Sequence, residues 1–356
     1  MDNIEKLLKQ LTEVNGVAGY EREVREVIKP CFQQFGEITQ DKLGSLICKK
    51  TGSSQRPKLA LAAHMDEIGF MVKHITKEGF IKFTSLGGWW DQVLLAQRVF
   101  IKTHKGDVVG VIGAKPPHLL SDEECKKVVE KKDMYIDIGA TSKEEVEEVD
   151  VRLGDPIIPI SNFTILANSK TYLAKALDDR VGCALAILTM QKLANINHPN
   201  TVFAVATTQE EIGARGATTS VELIDPDLAI ILEVDIAGDV PEIKPEESSI
   251  KLGGGPTLLT YDVRMIPNLK LRDLVVDTAK EKDIPLQLSA QEGGSTDGGP
   301  IHLHKIGVPT VVISVPTRHI HSHGAIIHRQ DFDRTVDLVT AIVKRLDSKT
   351  VRELTL

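Results

Sequence analysis

The sequence predicts an α/β fold: a mixed sheet of buried strands flanked by helices and interrupted by a small all-β insertion. Three observations carry that expectation. Apolar runs such as Lys58–His64 (KLALAAH), the stretch from Thr201 (TVFAVA) and Leu228–Val234 have the continuous character of strands buried on both faces. Helical stretches alternate with them, and the stretch Ala176–Asn195 is strongly apolar. From about residue 70 to 162 the texture changes to short alternating strands separated by turn residues. At 356 residues the chain suits one large and one smaller domain. The expected division is a catalytic α/β part at 1–69 and 163–356, with 70–162 inserted.

Taken in order, residues 2–13 are amphipathic and charged throughout, which predicts a helix and not a signal segment. The loop Asn15–Gly19 ends it. Residues 20–34 place Val24, Ile28 and Phe32 on one face of a second helix. Glu37–Lys50 reads as a β-hairpin turning at Leu43-Gly44, and KLALAAH follows as the first buried strand. Inside the insertion, Gly79–Phe83, Gln97–Thr103 and Asp107–Ile112 read as strands. Turns fall at Gly87-Gly88, Lys105-Gly106 and Pro116-Pro117. A charged segment, Asp122–Lys132, and a short helix, Lys143–Glu148, complete it. The α/β pattern resumes with the helix Ala176–Asn195 and strands at 201–209 and Leu228–Val234. A glycine-rich piece (Gly253–Gly255), the helix Asn268–Glu281, and strands Gln287–Ala290 and Pro309–Val315 follow. The last helix, about 331–347, carries Val336, Val339, Ile342 and Val343 on its core face.

The composition, 42% apolar and 26% charged, is that of an ordinary soluble protein. Aromatics at 4% argue against a carbohydrate-stacking groove, and a net charge of −7 leaves no basic footprint for nucleic acid. No apolar run approaches the roughly 20 residues needed to span a bilayer. Cys31, Cys48, Cys125 and Cys183 show no CxxC spacing and read as reduced thiols. The expectation is a soluble, cytoplasmic protein with no nucleic-acid or membrane partner.

The chemistry gathers at the strand ends. KLALAAH ends in His64, with Asp66 two residues on. The run from Thr201 ends in the acid pair Glu210 and Glu211. Leu228–Val234 contains Glu233, with Asp235 just beyond, and the last strand runs into His319, His321 and His323. Asp178-Asp179 opens the long helix. Singly, each has a plainer explanation: a helix cap for Asp178, a loop hydrogen bond for His64, a solvated turn for the glutamates. In a parallel sheet, however, all these ends lie on one edge, where ligands bind. Mixed carboxylate and imidazole donors suit Zn²⁺, Co²⁺ or Mn²⁺. More carboxylates than one ion needs suggest two ions about 3.5–4 Å apart, bridged by an aspartate. A carboxylate left outside the ligand set would serve as general base, so one neighbour of the glutamate pair meets a metal while the other acts as base.

The motifs AHMDEIGF, AKALDDRVG, QEEIGARGA, LEVDIAGDVP, GGSTDGG and PTRHIHSHG, in this order, cover nearly the whole chain. They resemble the M42 family of co-catalytic metallo-aminopeptidases, which includes the glutamyl and tetrahedral (TET) aminopeptidases, with FrvX-like proteins nearest. The resemblance implies a phosphorylase/hydrolase-like catalytic domain with an inserted PDZ-like β domain, and removal of N-terminal residues from short peptides. It implies that His64 binds one metal, that Asp66 orients that site from behind, and that Asp178 bridges two divalent ions while Asp179 is structural. Glu210 would be the general base for a water bridging the ions. Glu211 and His321 would hold the second ion. The remaining ligand is usually an aspartate in the family. Here the motif puts Glu233 at that position, with Asp235 as rival, and His319 is a rival for His321. The resemblance further implies homo-oligomers, often tetrahedral dodecamers. Arg215 and Arg318 hint at tolerance of acidic substrates but read as readily as ion-pair partners. Two other classes compete: an endoglucanase-type glycoside hydrolase, which needs two carboxylates and gives the histidines no role, and a non-catalytic metal-binding scaffold, which an intact Glu210 argues against.

Overall fold

Strands without a polar face must be covered on both sides, and a central sheet between helix layers achieves this. In the computed structural model, which describes residues 1–355, the sheet has 11 strands. At its centre Thr201–Thr207, Lys58–His64, Leu228–Ile236 and Thr310–Arg318 lie side by side and parallel. All their carboxyl ends therefore reach one edge. Antiparallel neighbours, Leu46–Thr51 on one side and Ala325–His328 on the other, make the sheet mixed, as the sequence predicts. Leu46–Thr51 also pairs back onto Glu37–Gln40, the expected hairpin.

The helix Leu177–Leu193 is buried along almost its whole length, so it carries no polar stripe. It packs on one face of the sheet beneath Arg329–Arg345, which buries Val336, Val339, Ile342 and Val343. Asn3–Glu13 starts with a reciprocal Asp2–Glu5 capping box. Arg22–Gln33 buries the expected Val24, Ile28 and Phe32 but begins two residues late, because Gly19 turns with a positive φ of 88°. The opposite face of the sheet is covered by Arg215–Ile224 and Gly298–His302, through Ala217, Val221, Ile224 and Ile301. No helix among the described residues is long and apolar enough to cross a membrane.

The inserted strands close into a barrel formed by Gly69–Ile75, Ile81–Leu86, Arg98–Thr103, Gly106–Gly113, Tyr135–Asp137 and Pro156–Pro159. Its own apolar core includes Phe70, stacked on Trp89 at 4.8 Å and edge-on to Phe83 at 5.0 Å. The sequence pattern does not single out the strands Gly69–Ile75 and Pro156–Pro159. The first follows the His64 strand with no turn residue to announce it, and the second has a proline at each end, where loss of a donor is tolerated. The strand expected at Gly79 starts at Ile81, since Gly79 occupies a turn at φ 86°. Within the charged segment Asp122–Lys132, Glu124–Lys126 is a short 3₁₀ turn, and another, Lys131–Asp133, overlaps its end. Lys143–Glu148 is helical, capped by Ser142.

Candidate active site

At the shared edge the strand ends converge. His64 is buried, and its ring Nδ1 lies 3.1 Å from the carbonyl oxygen of Asp66. A carbonyl can only accept, so in the neutral ring the proton sits on Nδ1 and Nε2 keeps its lone pair. That Nε2 lies 3.0 Å from Asp178 Oδ1 and 3.8 Å from Glu233 Oε1. The other oxygen of Asp178, Oδ2, is 3.4 Å from His321 Nε2, which is in turn 3.6 Å from Glu211 Oε2. One carboxylate thus stands between two imidazoles and offers one oxygen to each.

Asp178 does not cap the helix. The chain enters that helix through Ala176 at φ 53°, Asp178 and Asp179 are non-helical, and the peptide between them is cis. Asp179 points inward and accepts from the backbone N–H groups of His64 (3.1 Å) and Gly182 (2.9 Å). Buried Asp66 accepts from the N–H groups of Glu210 (2.9 Å) and Glu211 (3.1 Å), so it fixes the acid turn relative to His64. Glu21 accepts from the N–H of the preceding residue, Gln209, at 3.0 Å.

Among the described residues two groups could hold a cation: His64, Asp178 and Glu211 in one, His64, Asp179 and Glu233 in the other, each with its ligand atoms within 4.8 Å of one another. Glu211 Oε1 is buried and has no hydrogen-bond partner, an orphaned acceptor of the kind a cation satisfies. Both rivals lie elsewhere. Asp235 accepts from the Ser289 hydroxyl (2.5 Å) and the Gln291 side-chain amide (2.8 Å). His319 is exposed and borders a hollow beside Trp90 that His321 also lines, and it does not line the cavity over the cluster.

The electrostatics show a site short of positive charge. Burial, reinforced by the charge of Asp178, pushes Glu211 up to about 8. Burial also holds Glu233 and Glu210 well above the usual carboxylate range, with Asp179 adding to the first and Asp297 to the second. Asp178 stays low despite its burial, because His321 and His64 both bond to it. The same contacts overcome burial in the imidazoles, raising His321 to about 9 and His64 well above its ordinary value. A divalent cation would reverse this balance, letting the acids ionise and the imidazoles lose their protons.

The cluster opens into a cavity of about 620 Å³. Other parts of the chain complete its surroundings. Arg264 lines the cavity from a loop. Gly87 and Gly88 come over from the barrel, and a Cβ on them would lie 3.1 Å from Glu211 Oε2 and 3.1 Å from His321 Nδ1 respectively. Asp297, inside the GGSTDGG motif, is buried and accepts from the Thr207 hydroxyl at 2.5 Å. Arg318 is paired with Asp239, and Arg215 bonds the Gln209 side chain, so both have structural partners.

The profile of the M42 glutamyl aminopeptidase family matches residues 44–338, and a profile named AMPT matches residues 2–28. The chain is 41% identical to the putative aminopeptidase FrvX of Escherichia coli K12 over 355 residues, 98% of this chain and 97% of the relative. Its structure superposes with a TM-score of 0.97 on the TET aminopeptidase of the marine archaeon Thaumarchaeota archaeon SCGC AB-539-E09, at 49% identity and 99% coverage of both chains. The TET1 peptidase of Pyrococcus horikoshii, described as assembling into a tetrahedron or a large octahedral shell, gives a TM-score of 0.87 at 32% identity, covering 97% of this chain and 100% of its own. Likeness of this extent, along the chain and through the strand ends that meet here, leaves one conclusion: the chain belongs to the M42 family of aminopeptidases and is a peptide-bond hydrolase.

Proposed function

We propose that the chain removes N-terminal residues from short peptides, using two divalent ions, Zn²⁺, Co²⁺ or Mn²⁺, held in this cluster. The observation that carries the proposal is Asp178, with one oxygen facing His64 and the other facing His321. His64, Glu233 and Asp178 would hold the first ion, and Asp178, Glu211 and His321 the second. Two such cations, when bound, polarise a carbonyl and make a water acidic enough to attack it. Asp66 orients His64 and the acid turn together through its backbone carbonyl and its carboxylate.

Glu210 is outside both ligand groups and lines the same cavity. It would accept the proton of the attacking water as the carbon–oxygen bond forms. It would then deliver that proton to the leaving nitrogen as the carbon–nitrogen bond breaks. A glycosidase would use two carboxylates and leave His64 and His321 without a task.

Residues 70–162 would act as a PDZ-like domain, a role supported by the barrel's separate core. The working form would be a homo-oligomer, as its structural neighbour is described. A cytoplasmic setting fits the four unpaired cysteines.

The test is a panel of aminoacyl-arylamides. Cleavage should vanish with a chelator, return with Zn²⁺, Co²⁺ or Mn²⁺, and be absent for N-acetylated substrates. Cleavage that persists in chelator would refute the proposal.

A further inference from the structure

The turn that carries Glu210 and Glu211 is closed from within through its carbonyl groups alone. The N–H groups of Gly213 and Ala214 both donate to the carbonyl of Glu210 at 2.8 Å, that of Arg215 to the carbonyl of Gln209 at 3.2 Å, and that of Gly216 to the carbonyl of Thr208 at 2.9 Å. The N–H groups of Gln209, Glu210 and Glu211 go instead to carboxylates from other parts of the chain. Asp66 takes the last two, and Glu21 Oε1 takes that of Gln209 at 3.0 Å. Gln209 stands in the left-handed region at φ 56°, where a residue with a Cβ persists only if its surroundings enforce it.

Glu21 is built for reach and not for capping. It precedes the helix Arg22–Gln33, yet its side chain makes no cap bond there. It is 3% exposed, and the same Oε1 also accepts from Gly19 N–H at 2.7 Å, which fixes its direction. The loop beneath it is tied to the His64 strand end: Glu67 N–H donates to the carbonyl of Gly16 at 3.0 Å, and Arg180 donates to the same carbonyl at 3.1 Å. Through Glu21, the N-terminal loop and the acid turn become one rigid unit.

We propose that Glu21 is a positioning residue for the general base, completing with Asp66 a clamp on three successive N–H groups that aims Glu210 at the cavity. This rests on the assignment of Glu210 as base. Glu21→Gln keeps an acceptor oxygen at the same reach but loses the charge. Glu21→Asp keeps the charge but withdraws the oxygen by one methylene.

Hydrogen exchange of the 209–211 amides and steady-state kinetics on the intact, metal-loaded protein separate the two. Glu21→Asp should speed exchange of that segment about tenfold or more. It should lower kcat about tenfold while KM moves less than about threefold. Glu21→Gln should stay within about threefold of the parent in both measurements. Unchanged exchange or unchanged kcat in Glu21→Asp would overturn the proposal, as would a Glu21→Gln variant equally impaired. Loss of protection across the whole sheet in Glu21→Asp would make Glu21 merely structural and overturn it too. Failure of the base assignment itself would appear separately, as a Glu210→Gln enzyme that still turns over while the exchange result stands.

Discussion

Glu210 and Glu211 are adjacent in sequence and held by one carboxylate, Asp66, yet the proposed function gives them different tasks. Glu210→Gln keeps the shape and leaves both ligand groups complete, so metal content and fold should survive. Its kcat should fall by roughly 10²–10⁴, the usual contribution of a positioned base. Glu211→Gln removes ligand charge, so excess metal should restore part of its activity. Rescue of Glu210→Gln by metal would show the two roles exchanged. The same logic separates Glu233 from Asp235. Glu233→Gln should lose an ion and most activity, whereas Asp235→Asn, whose parent carboxylate bonds Ser289 and Gln291, should be mild by metal analysis and kinetics. The candidate ligands are legible in the sequence because metal chemistry restricts the donor types and because His64, Glu211, Glu233 and His321 lie at or near the carboxyl ends of apolar strands, while Asp178 opens the long helix. Glu21 is not, since nothing local links it to a residue 188 positions away.

At the scale of elements, the parallel order of four strands turns scattered motifs into one site. Strand identity was legible, because burial on both faces leaves only apolar residues. The barrel's first and last strands were not: one lacks a preceding turn, and the other is bounded by prolines. Nor could texture foretell that the barrel sends Gly87-Gly88 back over Glu211 and His321. Gly87 has φ 85°, and a Cβ there would come within 2.5 Å of Ile68 and 3.1 Å of Glu211 Oε2. Gly87→Ala should therefore weaken metal binding about 10–100-fold, the scale seen when a ligand's support is disturbed. Calorimetric titration of the metal-free protein checks this, and unchanged affinity would mean that the barrel loop does not shape the site.

For the whole molecule, the cluster ties stability to pH and metal. Glu211 rises from its ordinary 4.5 to about 8, and His321 from 6.5 to about 9. Both shifts are upward, so each group contributes stability that is complete below its unfolded value and is lost as pH climbs through its folded one. The metal-free protein should melt lower as pH rises from about 5 to about 9, by on the order of 5 °C for a chain of this size. Saturating metal would bind the deprotonated donors under the proposed function, so it should reverse this trend, and its affinity should strengthen as pH rises. Differential scanning calorimetry with and without metal reads both. A metal-free melting temperature that climbs across that range would contradict the charge balance described for the cluster.

The most direct measurement is elemental analysis of the purified protein and of its Asp178→Ala variant. The parent should hold about two divalent ions per chain, as a bridged pair requires. The variant should lose both together, because one carboxylate faces both imidazoles. One site filled normally in Asp178→Ala, or a parent that holds a single ion at saturation, would contradict the bridged centre.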